Sequence, residues 1–274
     1  LGVLAALREN YFMSLFNKTA GSGPDLVLIH GWGLHSGIWD GLMPLLEPHV
    51  RVTRIDLPGH GRSAWRGETS LDAMVDAVTA VAPDNAAWLG WSLGGLVAMR
   101  AAARQTSHVR ALLAVASSPC FVRKPDWHTA MLPQLLDTFA SDLAEDYLHT
   151  LDRFLALQVR GSEQARSVLK TLQAAMQRFE APRPEALQAG LQILAGTDLR
   201  DTLADIRCPA LLVAGERDTL VPPAAMLALQ DYLPGAQLET MAGAGHAPFI
   251  ADPVLFAKKV TAFVLDALAE QRYA

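Results

Sequence analysis

Short, wholly apolar runs separated by polar, glycine-rich turns recur along the chain. Leu26-Val27-Leu28-Ile29 contains no polar residue and gives way at once to His30-Gly31-Trp32-Gly33. Such a run suits a strand covered on both faces, as in a parallel sheet. Val50-Arg51-Val52-Thr53-Arg54-Ile55 predicts the next strand, closed by Asp56-Leu57-Pro58-Gly59-His60-Gly61-Arg62-Ser63. Ala86-Ala87-Trp88-Leu89, residues 109–116, Ala210-Leu211-Leu212-Val213-Ala214 and Gln237-Leu238-Glu239-Thr240 complete the strands legible in the pattern. Helical patterning falls between them, over 71–81, from Leu93 onward, and in an amphipathic stretch over 254–268. Strands alternating with helices predict a doubly wound, mostly parallel sheet.

One stretch breaks this rhythm. Residues 121–196 show no strand-like run, only helical patterning punctuated by Pro125, Pro133, Pro182 and Pro184. So long an insertion predicts a helical cap, or lid, set into the alternation. The expected organisation is therefore a core of 13–120 and 197–274 with a cap of 121–196. Met13-Ser14-Leu15-Phe16 reads as a natural start, so residues 1–12 are expected to be vector or upstream sequence. The apolar opening Leu1-Gly2-Val3-Leu4-Ala5-Ala6-Leu7 breaks at Arg8-Glu9-Asn10 and lacks a charged start and a cleavage site.

Composition narrows the classes without changing this picture. The chain has 274 residues, 51% hydrophobic and 19% charged, which suits a globular enzyme with a large core. A net charge of −5 with no basic stripe argues against a nucleic-acid binder. No run approaches the length needed to span a bilayer. Cys120 and Cys208 are far apart and lack metal spacing, so they read as two buried thiols in a reducing cytosol. The expected location is cytoplasmic and the expected state a monomer.

The chemistry centres on Gly90-Trp91-Ser92-Leu93-Gly94, between a predicted strand and a predicted helix. A serine on so sharp a turn holds its hydroxyl out above the sheet edge, and the flanking glycines avoid collisions a Cβ would make. A neutral hydroxyl is a weak nucleophile and needs an adjacent base, itself oriented by a carboxylate. Strand 210–214 runs into Gly215-Glu216-Arg217-Asp218, where open α/β sheets build their sites. Asp218 is the candidate acid and Glu216, closer to the strand end, its rival. His246 in Gly243-Ala244-Gly245-His246-Ala247-Pro248-Phe249 is the candidate base. Its small neighbours let an imidazole reach a cleft, while Pro248-Phe249 pin the loop to the core. His108, read as a surface helix end, and His128 and His149, before or inside the insertion, are set aside. Acyl transfer also needs two donors for a developing oxyanion. These are assigned to the backbone N–H groups of Leu93 and Trp32. The Trp32 indole is expected to wall the pocket, and His30 to brace its loop. The mechanism requires no metal or organic cofactor.

Together these residues resemble the α/β-hydrolase superfamily. His30-Gly31-Trp32-Gly33-Leu34, Asp56-Leu57-Pro58-Gly59, Ala116-Ser117-Ser118-Pro119-Cys120-Phe121, Phe154-Leu155-Ala156-Leu157-Gln158 and His246-Ala247-Pro248-Phe249-Ile250 add a closer likeness. They resemble the pimeloyl-acyl carrier protein methyl ester esterases of biotin biosynthesis. The resemblance implies an α/β-hydrolase fold and a serine carboxylesterase that also cleaves short simple esters. It implies substrate contacts at Trp32, Ser92, Leu93, Phe154, Leu155, Ala156, Leu157, Gln158 and His246. The neighbours of the acid in Gly215-Glu216-Arg217-Asp218 depart from that family's pattern. A general carboxylesterase or a carbon–carbon bond hydrolase would use the same three residues beneath a different cap. A ligand receptor could share the fold, but an intact serine, acid and histidine argue against it. Aspartate-nucleophile enzymes are removed by Ser92.

A helix over 148–160 would place Phe154, Leu157 and Gln158 on one face, at spacings of three and four residues, able to look onto Ser92. Arg153 and Arg160 would share another face, and Arg166 would pair with Lys170 on the next helix. Cations on the cap of a net-acidic protein are expected to dock an acidic acyl carrier protein.

Overall fold

The structure is a computed structural model and describes residues 15–104 and 107–270. Residues 1–12, expected to be vector or upstream sequence, lie outside the described residues. Among the described residues the strands are β1 (Asn17–Ala20), β2 (Asp25–Ile29), β3 (Arg51–Ile55), β4 (Ala86–Trp91), β5 (Val109–Val115), β6 (Ala210–Gly215) and β7 (Gln237–Met241). They form one sheet in the order β1-β3-β2-β4-β5-β6-β7. Only β1 runs antiparallel, against β3; the pairings of β2 with β3 and β4, and onward to β7, are parallel. The helices are α1 (Met43–Leu46), α2 (Leu71–Thr79), α3 (Leu93–Ala103), α4 (Pro133–Glu145), α5 (Tyr147–Gln158), α6 (Ala165–Met176), α7 (Pro184–Gly196), α8 (Pro223–Tyr232), α9 (Pro248–Ala251) and α10 (Pro253–Glu270).

Side-chain alternation divides the interior into two layers. Val27 and Ile29 face one buried cluster with Trp88, Leu112 and Leu212, shared with Met74 and Val78 of α2 and Leu96 of α3. Leu26 and Leu28 face the other, with Leu89, Leu113 and Leu211, shared with Phe256 and Val260 of α10. Successive residues of a strand point to opposite faces, so a run apolar at every position is what a sheet covered on both sides demands. Ser70 caps α2 by accepting the Ala73 N–H at 3.2 Å, and Pro133 and Pro184 open α4 and α7, where a missing N–H costs nothing.

The structure departs from the pattern-based elements in several places, the helices α1 and α8, which no pattern announced, among them. The edge strand β1 was not expected; its burial is exposed at three of four positions, so no apolar run announces it. β4 continues through Gly90 and Trp91, two residues beyond the expected strand. The stretch between Phe121 and Pro133 is not helical: it carries isolated bridges between Val122 and Met131 and between Lys124 and Trp127. His108 is no helix end either, since α3 stops at Ala103 and His108 stands just before β5 beside Asp84.

β2 is flanked by β3 on one side and β4 on the other, so the chain reverses its winding there. Open α/β sheets form their crevice beyond the carboxyl ends of the strands at this reversal. The loop after β2 carries His30 to Trp32, and β4 ends at Trp91, directly before Ser92. α4 to α7 lie between β5 and β6 in sequence and pack over this end, with Leu151 of α5 against Gly33 and Gly190 of α7 against Trp32. No helix among the described residues is long and apolar enough to cross a membrane.

Candidate active site

Ser92 joins β4 to α3 with φ +54° and ψ −118°, a conformation that L residues rarely adopt. The surroundings impose it. A Cβ at Gly90 would lie 2.0 Å from the Gly94 carbonyl oxygen, and one at Gly94 would lie 2.4 Å from that of Ile29. Only glycine lets strand and helix approach this closely. The Ser92 N–H donates to Val115 at 3.0 Å, and the Ser92 carbonyl accepts the Ser117 hydroxyl at 2.7 Å. The backbone is thereby tied on both sides, leaving the side chain in the crevice.

Nε2 of His246 lies 2.9 Å from Ser92 Oγ, and its Nδ1 lies 2.7 Å from Asp218 Oδ2. All three residues are buried. The other oxygen of Asp218 accepts the N–H groups of Leu220 at 2.8 Å and Val221 at 3.0 Å. That carboxylate can only accept, so Nδ1 carries the imidazole proton and Nε2 is left to accept from the serine hydroxyl. Glu216 does not reach the histidine ring; it accepts the Gly243 N–H at 2.7 Å.

Trp32 lies in the loop after β2, and Leu93 directly follows Ser92. Leu93 is the first residue of α3, whose leading N–H groups have no helical partner. Gly31 packs so closely on the nucleophile that a Cβ there would lie 3.2 Å from Ser92 Cβ. Neither the Trp32 nor the Leu93 N–H donates to another described residue. His30 accounts for how Trp32 is aimed. Its Nε2 accepts the Leu57 N–H at 2.9 Å, so Nδ1 carries the proton and donates to the Gly31 carbonyl at 2.8 Å. In a planar trans peptide the C=O and the next N–H point opposite ways, so holding Gly31 O turns the Trp32 N–H the other way.

Burial, with His60 alongside, pushes the His30 imidazole down from 6.5 to about 3, so it stays neutral. His60, whose Nδ1 donates to Pro58 at 2.9 Å, is pushed down by burial to about 4. Between these rings and Arg62 lies Asp56. Burial alone would raise its carboxyl, but hydrogen bonds from Arg62 and the Ser36 N–H, together with the charge on His30 when it is protonated, bring it down to about 2.

The other expected contacts divide by helical face. Phe154 is buried edge-on to Trp32, with ring centres 4.7 Å apart, and Leu157 packs beside the same cluster. The Trp32 indole N–H donates to the Leu187 carbonyl of α7 at 2.8 Å. Gln158 is 2% exposed, and both polar atoms of its amide lack a partner among the described residues. Leu155, in contrast, is buried in the opposite cluster with Trp39 and Trp91, and Ala156 is exposed. Five consecutive residues of a helix cannot share one surface.

Of the four cations, Arg153 pairs with Asp142 and stands over Phe139, while Arg160, Arg166 and Lys170 are exposed. Both cysteines are free, with Cys120 buried and Cys208 only half-buried, short of the full burial expected. No group of three or more His, Cys, Asp or Glu side chains is placed to hold a metal ion among the described residues.

Sequence reasoning missed what holds the histidine loop. Trp91, the residue before the nucleophile, donates its indole N–H to the His246 carbonyl at 2.7 Å. Gln158 accepts the His246 N–H on its own carbonyl at 3.1 Å. These partners are distant in sequence and carry no local signal.

A family model described as the alpha/beta hydrolase family matches residues 26–259. The pimeloyl-[acyl-carrier protein] methyl ester esterase of Nitrosomonas europaea is 44% identical over 243 residues, covering 89% of this chain and 96% of that protein. The protein of the same name from Yersinia enterocolitica is 42% identical over 250 residues, covering 91% of this chain and 96% of that protein. Among solved structures, an esterase from Exiguobacterium antarcticum aligns with a TM-score of 0.82 at 21% identity, covering 91% of this chain and 95% of that one. A hydrolase from Pseudomonas aeruginosa PA01 aligns with a TM-score of 0.76 at 26% identity, covering 91% and 93%.

Proposed function

The chain belongs to the alpha/beta hydrolase family, and from that premise we propose that it is a serine carboxylesterase that removes the methyl ester from pimeloyl groups carried on acyl carrier protein, a step of biotin synthesis. The observation that carries the substrate is the likeness, at 42–44% identity over about nine-tenths of the chain, to relatives of that name. The observation that carries the chemistry is the unbroken path from Ser92 through His246 to Asp218.

Ser92 Oγ attacks the ester carbonyl as His246 Nε2 takes its proton, and Asp218 holds the imidazolium that forms. The oxyanion accepts hydrogen bonds from the N–H groups of Trp32 and Leu93. His246 returns the proton to the leaving methoxy oxygen, and methanol departs. Water, deprotonated by the same nitrogen, then releases the acid from the serine. The buried, unpartnered amide of Gln158 and the rings of Phe154 and Trp32 supply one polar and two apolar contacts for the acyl chain. α4 to α7 act as the cap. Arg160, Arg166 and Lys170 are its docking cations, with Arg153 already neutralised by Asp142. The reading keeps the cytoplasmic location and monomeric state expected from the sequence.

Methanol release from pimeloyl-acyl carrier protein methyl ester, compared with a short p-nitrophenyl ester, tests the proposal. Wild type should hydrolyse both, and Ser92→Ala should lose several orders of magnitude on both, since the three residues act as a unit. Charge reversal at Arg160, Arg166 and Lys170 should raise KM for the carrier-linked ester alone, an effect that fades with salt. Cleavage of the short ester without the carrier-linked one would leave a general carboxylesterase.

A further inference from the structure

The cap touches the catalytic machinery at a point that has nothing to do with covering the pocket. α5 ends at Gln158, and the last carbonyls of a helix have no partner within it. The Gln158 carbonyl is satisfied instead by the backbone N–H of His246. Five residues on, the Glu163 N–H donates to the Gly243 carbonyl at 2.9 Å, so the turn 158–163 and the histidine loop are stitched at two places. Gly243 is held from its other side by Glu216, and the Ala244 carbonyl accepts the Arg217 N–H at 2.8 Å. The Arg217 guanidinium closes the circuit on Glu163 at 2.7 Å.

We infer that the turn Gln158 to Glu163 positions the base: it fixes the backbone of His246 on one side while Trp91 fixes it on the other. The inference rests on His246 acting as the base for Ser92. The two ties grip a single residue, the N–H by the cap and the C=O by the nucleophile's own neighbour. The imidazole is thus suspended between the two parts of the molecule it must serve. A cap displaced at this turn shifts the base relative to Ser92, so the cap sets turnover as well as substrate fit. A carrier docking beside Arg160 would press on this same turn.

Two glycines allow the stitch to be disturbed from either side without altering a side chain that meets substrate. Gly245 has an ordinary backbone conformation, and a Cβ there would lie 3.0 Å from the Gln158 carbonyl oxygen. Gly161 has φ +82°, and a Cβ there would lie 3.2 Å from the Arg217 carbonyl oxygen. The experiment compares Gly245→Ala, Gly161→Ala and the double variant on a short p-nitrophenyl ester, with thermal melting and the rate of fluorophosphonate labelling of Ser92. Each single variant should lower kcat and the labelling rate together by about ten- to a hundredfold, as small misplacements of reacting groups do, with KM within about a factor of two. Because both act on the same turn, one at the Gln158 carbonyl and the other at the Arg217 carbonyl of the linked loop, the double variant should lose much less than the product of the single losses.

Folded single variants with unchanged kcat, losses that multiply in the double variant, or a rise in KM in place of a fall in kcat would each overturn the inference. Should Gly245→Ala fail to fold, Gly161→Ala decides it by the split between kcat and KM and by the labelling rate. The assay uses a free ester, so its outcome is separate from that of the carrier-linked substrate, which only the preceding experiment tests.

Discussion

Two acids stand near His246, and what distinguishes them is the atom each one reaches. Asp218 meets the ring nitrogen, while Glu216 meets a backbone N–H of the same loop. In Asp218→Asn the N–H groups of Leu220 and Val221 still demand an oxygen, so the amide turns its NH2 toward His246. The imidazole must then accept at Nδ1 and carry its proton on Nε2, where it can no longer take one from Ser92. A loss on the order of 10⁴-fold in kcat follows from this wrong tautomer. Glu216→Gln keeps an oxygen for the Gly243 N–H and should lose less than about tenfold, the level of a single weakened hydrogen bond. Turnover of a short p-nitrophenyl ester by the two variants checks the ranking, and the reverse order would transfer the orienting role to Glu216.

At the scale of elements, α7 is seated on the loop after β2 through one small residue. A Cβ at Gly190 would lie 2.5 Å from Cδ1 of Trp32, beside the bond from the Trp32 indole to the Leu187 carbonyl. Gly190→Ala should therefore lift α7, cost about 1–3 kcal/mol by overpacking, and raise KM for short esters severalfold. Thermal melting and steady-state kinetics measure both, and an unchanged melting temperature would mean that α7 does not bear on Trp32. The same helical segment shows where pattern reading reaches its end. The faces of α5 were legible, because Phe154, Leu157 and Gln158 do share a side. The assignment of Leu155 and Ala156 came from resemblance and not from helical spacing, and the structure sends one into the opposite core and the other to solvent.

For the molecule as a whole, buried neutral histidines tie stability to pH. His30 and His60 are held at about 3 and about 4 in the fold, against 6.5 when exposed. Above that ordinary value neither state binds the proton, and they contribute nothing. As pH falls below it the unfolded chain takes up protons that the folded one refuses, and stability drops by up to about 1.4 kcal/mol per pH unit for each ring. Asp56, held at about 2, adds a further loss only below the ordinary carboxylate range. Asp56 and His35 are the titratable neighbours facing these rings, with Arg62 behind them on Asp56. The melting temperature should fall steadily from pH 6.5 to 4.5, and His60→Asn, which keeps a donor toward Pro58, should flatten that slope. Equal slopes in the two proteins would show that His60 titrates normally.

The alternation of apolar runs and turns was enough to place six of the seven strands: the central ones, buried on both faces, are nearly all apolar, while β3 and β7, with polar positions, were legible from their place in the alternation. Ser92 and His246 were legible from the glycine-rich turns they stand in, and Asp218 from its place after β6, and the structure joins the three by hydrogen bonds. β1 escaped because an exposed edge strand needs no apolar pattern, only free backbone groups on β3 to pair with. The grip on His246 by Trp91 and Gln158, the bond from His30 that turns the Gly31–Trp32 peptide, and the seating of α7 on Trp32 were decided by the tertiary structure alone. Each depends on a backbone group, which every residue carries, meeting a partner brought close only when the strands and the inserted helices have found their places.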